Sequence, residues 1–162
     1  MTLVEFEAVF HGLFRKSENT ELVNGLLSGK NEPLYIPADR TTPAKIVYAN
    51  GFLQSALHET AHWCHAGVQR RQMIDYGYWY VGDSRDQEQQ NHFEKVELIP
   101  QAYELLLSQV CGVEFQVSLD NFNPNVVLNR EHFTDQVQQM ASQKLNEDMS
   151  PRLRLLLQHL AK

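Results

Sequence analysis

Residues 58–62 read His-Glu-Thr-Ala-His, an H-E-x-x-H arrangement that can hold a metal ion. On a helix, His58 and His62 stand one turn apart, about 6 Å along the axis and about 40° apart in azimuth. Both imidazoles can then reach one ion and leave its other positions to a third ligand, water or substrate. Glu59 projects from the same side, roughly 60° from His62, where it reaches a metal-bound water rather than the metal. The bland alternative is an amphipathic core helix whose histidines are buried and hydrogen-bonded. The context favours the metal helix: Gln54 to Ala66 contains no Gly or Pro, Leu53, Ala56 and Leu57 can bury one face, and Gly67 stands where a C-cap glycine belongs.

Two histidines do not complete a site. His65 lies seven residues beyond His58, about 10 Å along the same helix, so the third ligand should come from another element. The best donors are His92, Glu94 and Glu97, downstream of Asp86. Glu94 and Glu97 are one turn apart, and one can bind metal while the other holds a His ring nitrogen. Solvation is the ordinary fate of such helix carboxylates. A His-His-Glu set with zinc, water and Glu59 as base describes a hydrolase. The same ligands with open positions describe the two-His-one-carboxylate centre of an iron(II) oxygenase. Spacing does not separate the two.

The elements that must position these residues follow from periodicity and turn chemistry. Thr2 to Glu5 opens a helix with a capping box, and apolar residues at helical spacing carry it to about Lys16. A short helix is expected from Glu21 to Leu27, capped by Thr20. Prolines 33, 37 and 43 break the next stretch into strands at Pro33–Ile36 and Lys45–Ala49. The second strand runs through Asn50-Gly51 into the His helix, placing the site at the edge of a small sheet. Tyr76 to Val81 reads as a strand or extended wall, with Tyr78, Trp79 and Tyr80 facing substrate in the functional reading and the core in the structural one. Ser84 and Gln87 are spaced as a capping box for a helix that Pro100 should kink or end. A further helical pattern from Tyr103 closes at Gly112, and Val113 to Leu119 alternates as a strand. Two C-terminal helices follow, the last capped by Ser150 with Pro151 in its first turn and a stripe of Leu153, Leu156, Leu157 and Leu160. The expected fold class is α+β, mainly helical, with a small sheet packed on the metal helix. No repeat or linker divides it, so residues 1–162 are read as one catalytic domain.

Composition sets outer limits. At 162 residues the chain can bury a core without staples, and 43% hydrophobic with 21% charged residues is ordinary for a globular protein. No long apolar run or basic-then-apolar leader is seen, so neither membrane association nor a signal peptide is expected. Cys64 and Cys111 are the two cysteines, and with one inside the metal helix a cytoplasmic address fits better than a disulfide. A net charge of −6 argues against direct nucleic-acid binding. Arg70-Arg71 could still dock an acidic protein.

Longer blocks carry a resemblance. YIPAD (35–39), ANGFLQSALHETAHWCHAG (49–67), DYGYWY (75–80), DSRDQ (83–87) and FEKVELIPQA (93–102) resemble the elongation factor P hydroxylase family. The similarity runs from Glu32 to about Arg130; the ends match less closely, and the chain is expected to stop short of the family's usual C-terminus. The resemblance implies a zincin-like fold and a cytoplasmic, metal-dependent monooxygenase that hydroxylates a lysine of elongation factor P, normally one already β-lysylated. It implies His58, His62 and Glu97 as ligands, with Glu94 in reserve, and Glu59 as the motif glutamate. The implied metal is Fe(II), with zinc possible in purified protein, and O2 is the implied co-substrate. No 2-oxoglutarate-binding signature accompanies these blocks, and no electron donor is assigned. The alternatives are a small zinc metallopeptidase with Glu59 as general base, and a binding module with a closed structural metal completed by His92 or His65.

Overall fold

The computed structural model describes residues 1–27, 29, 32–78 and 84–162. Helix α1 spans Leu3–Phe14 and begins with the expected capping box: Thr2 Oγ1 accepts from Glu5 N–H and Glu5 Oε2 accepts from Thr2 N–H. Phe6, Phe10 and Phe14, one turn apart, are its buried stripe. Phe10 and Phe14 meet Trp63 edge-on, with ring centroids 5.4 and 4.8 Å away.

The segment after α1 corrects an expectation. Thr20–Asn24 is strand β1, not a helix. Thr20 and Leu22 are buried with Glu21 between them less so, a period of two, and the strand has a partner to satisfy its backbone. Strands β2 (Leu34–Ile36) and β3 (Ala44–Tyr48) form where the prolines delimit them. The three make a sheet of order β1-β3-β2, with β1 parallel and β2 antiparallel to the central β3.

Strand β3 feeds helix α2 (Leu53–His65) through Asn50 and Gly51, both left-handed at φ 56° and 68°. A Cβ on Gly51 would lie 3.1 Å from Asn24 Nδ2, so the turn needs glycine for room as well as for conformation. The far end of α2 differs from expectation. Gly67 is not left-handed, and the freed carbonyls are capped from a distance instead. Ser150 Oγ donates to Cys64 O at 2.7 Å and Arg152 Nη2 to Ala66 O at 2.6 Å. Ser150 is therefore spent on α2 and makes no side-chain cap for its own helix, although Pro151 does open it.

Helix α3 runs unbroken from Gln87 to Cys111 and ends at left-handed Gly112. Its capping box is Asp86 with Gln89, two residues later than expected, because buried Arg85 stacks on Phe93 at 3.9 Å and Gln87 instead accepts from Val127 N–H. Pro100 neither ends nor splits the helix. It forfeits one backbone bond toward Val96, while Glu97 before it pairs with His62 and Gln101 after it bonds Ser118. Val113–Leu119 forms no strand among the described residues. Its alternation is real, with Val117 and Leu119 buried, but Gln101 and Arg130 side chains take its backbone bonds in place of a partner strand. Helices α4 (Arg130–Asn146) and α5 (Pro151–Leu160) complete the fold. Leu153, Leu156 and Leu160 are buried, and Leu157 only partly.

The architecture is α+β and mainly helical, with α3 packed along α2, α4 against α3, and α5 against α1, α2 and α3. No helix among the described residues is long and apolar enough to cross a membrane.

Candidate metal centre

Burial decides which way α2 turns its histidines. Ala56, Leu57, Thr60, Ala61, Trp63 and Cys64 face the core, and the helical period leaves His58, Glu59 and His62 on the opposite side. Helix α3 crosses that side and brings up Glu97, whose side chain is only 4% exposed. His58 Nε2 and His62 Nε2 lie 3.2 Å apart. Glu97 Oε1 is 3.3 Å from His62 Nε2, and Glu97 Oε2 is 3.9 Å from His58 Nε2. Three ligands about 2.1 Å from one ion stand roughly 3.0–3.4 Å from each other in octahedral or tetrahedral geometry. The donor atoms lie within 4.8 Å of one another, so two imidazoles and one carboxylate fit a divalent metal with small adjustment.

The surroundings hold this set in place. His58 Nδ1 is 2.7 Å from Glu104 Oε2; a carboxylate accepts, so Nδ1–H donates and Nε2 is turned toward His62 and Glu97. Gln101, fully buried, donates from Nε2 to Glu97 Oε2 at 3.4 Å and to Ser118 O at 2.9 Å, and its Oε1 accepts from Ser118 N–H. Burial opposes charge on His58 and Glu97, and their partners more than offset it. Glu104 first, then Glu59 and Glu97, push His58 up to about 10. His62, and then His58 and Gln101, hold Glu97 down at about 2. Glu59 is raised, by burial first, with the two histidines pulling the other way. It has no hydrogen-bond partner among the described residues.

These groups open on a cavity of about 580 Å³ walled by Pro33, Tyr78, Arg85, Phe93, Ser118 and Asp120. One side is a left-handed turn, Asp75, Tyr76 and Gly77 at φ 47°, 58° and 70°. Two of these are not glycine, a conformation that costs about 1–2 kcal/mol each. It is held from outside: Asp75 Oδ1 accepts from Tyr35 N–H at 2.8 Å, and the Tyr76 ring stacks on Tyr35 at 4.3 Å. The other face of this arrangement looks toward His62, whose ring is parallel to Tyr76 at 6.4 Å.

Among the residues singled out from sequence, the structure brings together His58, His62, Glu97, Glu59 and Tyr78. Tyr78 lines the cavity in extended conformation beneath the Arg70 guanidinium, 4.1 Å away. Trp79, Tyr80 and Val81 lie outside the described residues. Glu94 accepts from Gln90, His92 is exposed, and His65 stands edge-on to Tyr103; none of them joins the cluster. Arg71 pairs with Glu18 at 2.8 Å, and Arg70 also donates to Tyr76 O, so the two arginines brace this end of the fold. Sequence reasoning missed Glu104 and Gln101. The signal was available: Glu97, Gln101 and Glu104 follow i, i+4, i+7 spacing, one face of a helix, once Pro100 is allowed inside it.

Comparison with known proteins agrees with the blocks that carried the resemblance and extends past them. The sequence model of the elongation factor P hydroxylase family matches residues 9–162. The elongation factor P lysine hydroxylase of Haemophilus influenzae is 45% identical over 124 residues, which cover 76% of this chain and 67% of that protein. This chain belongs to the elongation factor P hydroxylase family.

Proposed function

We infer that this protein is a lysine hydroxylase acting on elongation factor P, with iron(II) held by His58, His62 and Glu97. Family membership and the 45%-identical lysine hydroxylase support the reaction and the protein substrate. The observation that carries the metal assignment is the convergence of those three side chains on one point at the floor of the cavity. Iron(II) held by such a two-His-one-carboxylate set would activate O2 for hydroxylation of a C–H bond, with an external reductant supplying two electrons and the second oxygen atom leaving as water. The strand-fed H-E-x-x-H helix beside a small sheet supports a zincin-like reading of the fold. We take the whole chain as one catalytic domain working in the cytoplasm on a β-lysylated lysine.

The chain's own residues have separable tasks. Glu104 and Gln101 hold His58 and Glu97. Glu59, with no hydrogen-bond partner among the described residues and its proton affinity raised, can hold or pass a proton at the cavity floor. Tyr78 and Phe93 give the cavity an apolar wall against which a long methylene arm can lie. The metallopeptidase alternative would use the same three ligands with zinc and Glu59 as base, and the family match does not favour it. Purified protein, reloaded with iron(II) under anaerobic conditions, should oxidise β-lysylated elongation factor P on admission of O2 and a reductant. Peptide cleavage without oxygen incorporation would overturn the reading.

A further inference from the structure

The face of α3 behind Glu97 carries a residue that the ligand set leaves unexplained. Glu104 lies seven residues beyond Glu97, two turns along the helix, so both project toward α2. Its side chain is 12% exposed, and among the described residues its one ion-pair partner is His58, at 2.7 Å. Among the described residues no Lys or Arg pairs with it. His62 has no comparable support: its contacts within the site run through Nε2, and nothing among the described residues holds its Nδ1. The two histidines of one motif are therefore treated differently by the fold.

We propose that Glu104 is a positioning residue for the hydroxylation reaction, acting through His58 rather than on substrate. By accepting the Nδ1–H it selects the tautomer, fixes the ring's rotation and strengthens the Nε2 lone pair aimed at the shared point. The proposal rests on the reading of His58 as a metal ligand. It adds that Glu97-x3-Gln-x2-Glu104 on α3 is the second half of the site: one carboxylate bonds, the amide between steadies it, and the other carboxylate orients the opposing histidine. Gln101 also clamps Ser118, so the same face of α3 ties the ligands to the cavity wall.

A purely structural Glu104 would lower stability without changing how well the folded protein holds metal. The full-length, metal-free protein should therefore be titrated with zinc, a redox-inert probe, against a chromophoric chelator across a range of pH, so that affinities are compared after allowing for the proton that zinc displaces from His58, with folding checked by circular dichroism. Glu104→Ala should weaken zinc binding roughly 10- to 100-fold. Glu104→Gln, whose amide oxygen still accepts from Nδ1–H, should recover part of that loss. Glu94→Gln, on the same helix but outside the cluster, should bind zinc as the wild type does. Wild-type zinc affinity in folded Glu104→Ala, with affinity lost in His58→Ala, would overturn the assignment of Glu104 alone. Wild-type affinity in His58→Ala would overturn the ligand reading beneath it.

Discussion

Metal affinity should climb steeply with pH across the neutral range, and His58 is the reason. In the metal-free protein its pKa is pushed up to about 10: burial acts to lower it, but the Glu104 hydrogen bond and the charges of Glu104, Glu59 and Glu97 prevail. His58 then carries protons on both ring nitrogens at neutral pH. A metal at Nε2 must displace one of them, while the Nδ1 proton stays with Glu104. Each pH unit should therefore strengthen apparent affinity about tenfold, or about 1.4 kcal/mol, and two units near neutrality about 100-fold. A histidine of ordinary pKa, about 6.5, would give a curve that flattens about one unit above that value. The same linkage acts on folding. A raised histidine stabilises the metal-free fold fully below about 6.5, and this contribution is lost as pH rises through about 10. Glu97 behaves oppositely: its contribution is present above about 4.5 and lost as pH falls toward about 2. The metal-induced rise in melting temperature should consequently grow from neutral to alkaline pH. Chelator competition in half-unit pH steps, with calorimetry in buffers of different ionisation enthalpy, measures both the slope and the proton released. A flat affinity profile through neutrality, or no proton release, would refute the electrostatic reasoning.

Other perturbations probe separate parts of the account. Glu59→Gln should leave zinc affinity near that of the wild type, since Glu59 lies outside the three-donor cluster, yet slow hydroxylation by ~100-fold or more if it handles a proton; unchanged turnover would remove it from the chemistry. Gln101→Leu removes the bonds to the part-buried Ser118 N–H and C=O and should destabilise the protein by about 1–3 kcal/mol in denaturant unfolding; a loss near zero would mean that water replaces these bonds. Gly77→Ala places a methyl 2.9 Å from Met73 Sδ at φ 70°, and should lower the melting temperature by roughly 2–8 °C; an unchanged melt would show that the left-handed turn relaxes freely.

The site was more legible in the sequence than the frame around it. An H-E-x-x-H motif states its own geometry as soon as its segment is helical, because i to i+4 spacing fixes two side chains without reference to the rest of the chain. Glu97 was reachable for a weaker reason: three donors competed downstream, and resemblance, not spacing, separated it from Glu94 and His92. Glu104 was missed because Pro100 was expected to kink or end the helix that carries it, although tertiary contacts of Glu97 and Gln101 flank Pro100 in an unbroken helix. The errors elsewhere share a cause. Thr20–Asn24 has few residues and fits either period, and only its pairing with β3 makes it a strand. Val113–Leu119 alternates as a strand should, but its hydrogen bonds go to Gln101 and Arg130. Gly67 and Ser150 looked like local caps, whereas α2 is capped by residues 86 positions away. Local rules fail where a distant side chain supplies the bond that the rule assigns to a neighbour.

The most direct test of the central claim is the intact mass of elongation factor P from cells that lack this protein and then regain it. The account predicts a gain of one oxygen atom on the modified lysine when the wild-type chain is restored, and none when His58→Ala or Glu97→Ala is restored at equal abundance. No gain with the wild-type chain, in cells where β-lysylated elongation factor P is present, would contradict the hydroxylase assignment. Equal gain with the two variants would contradict the metal centre described for it.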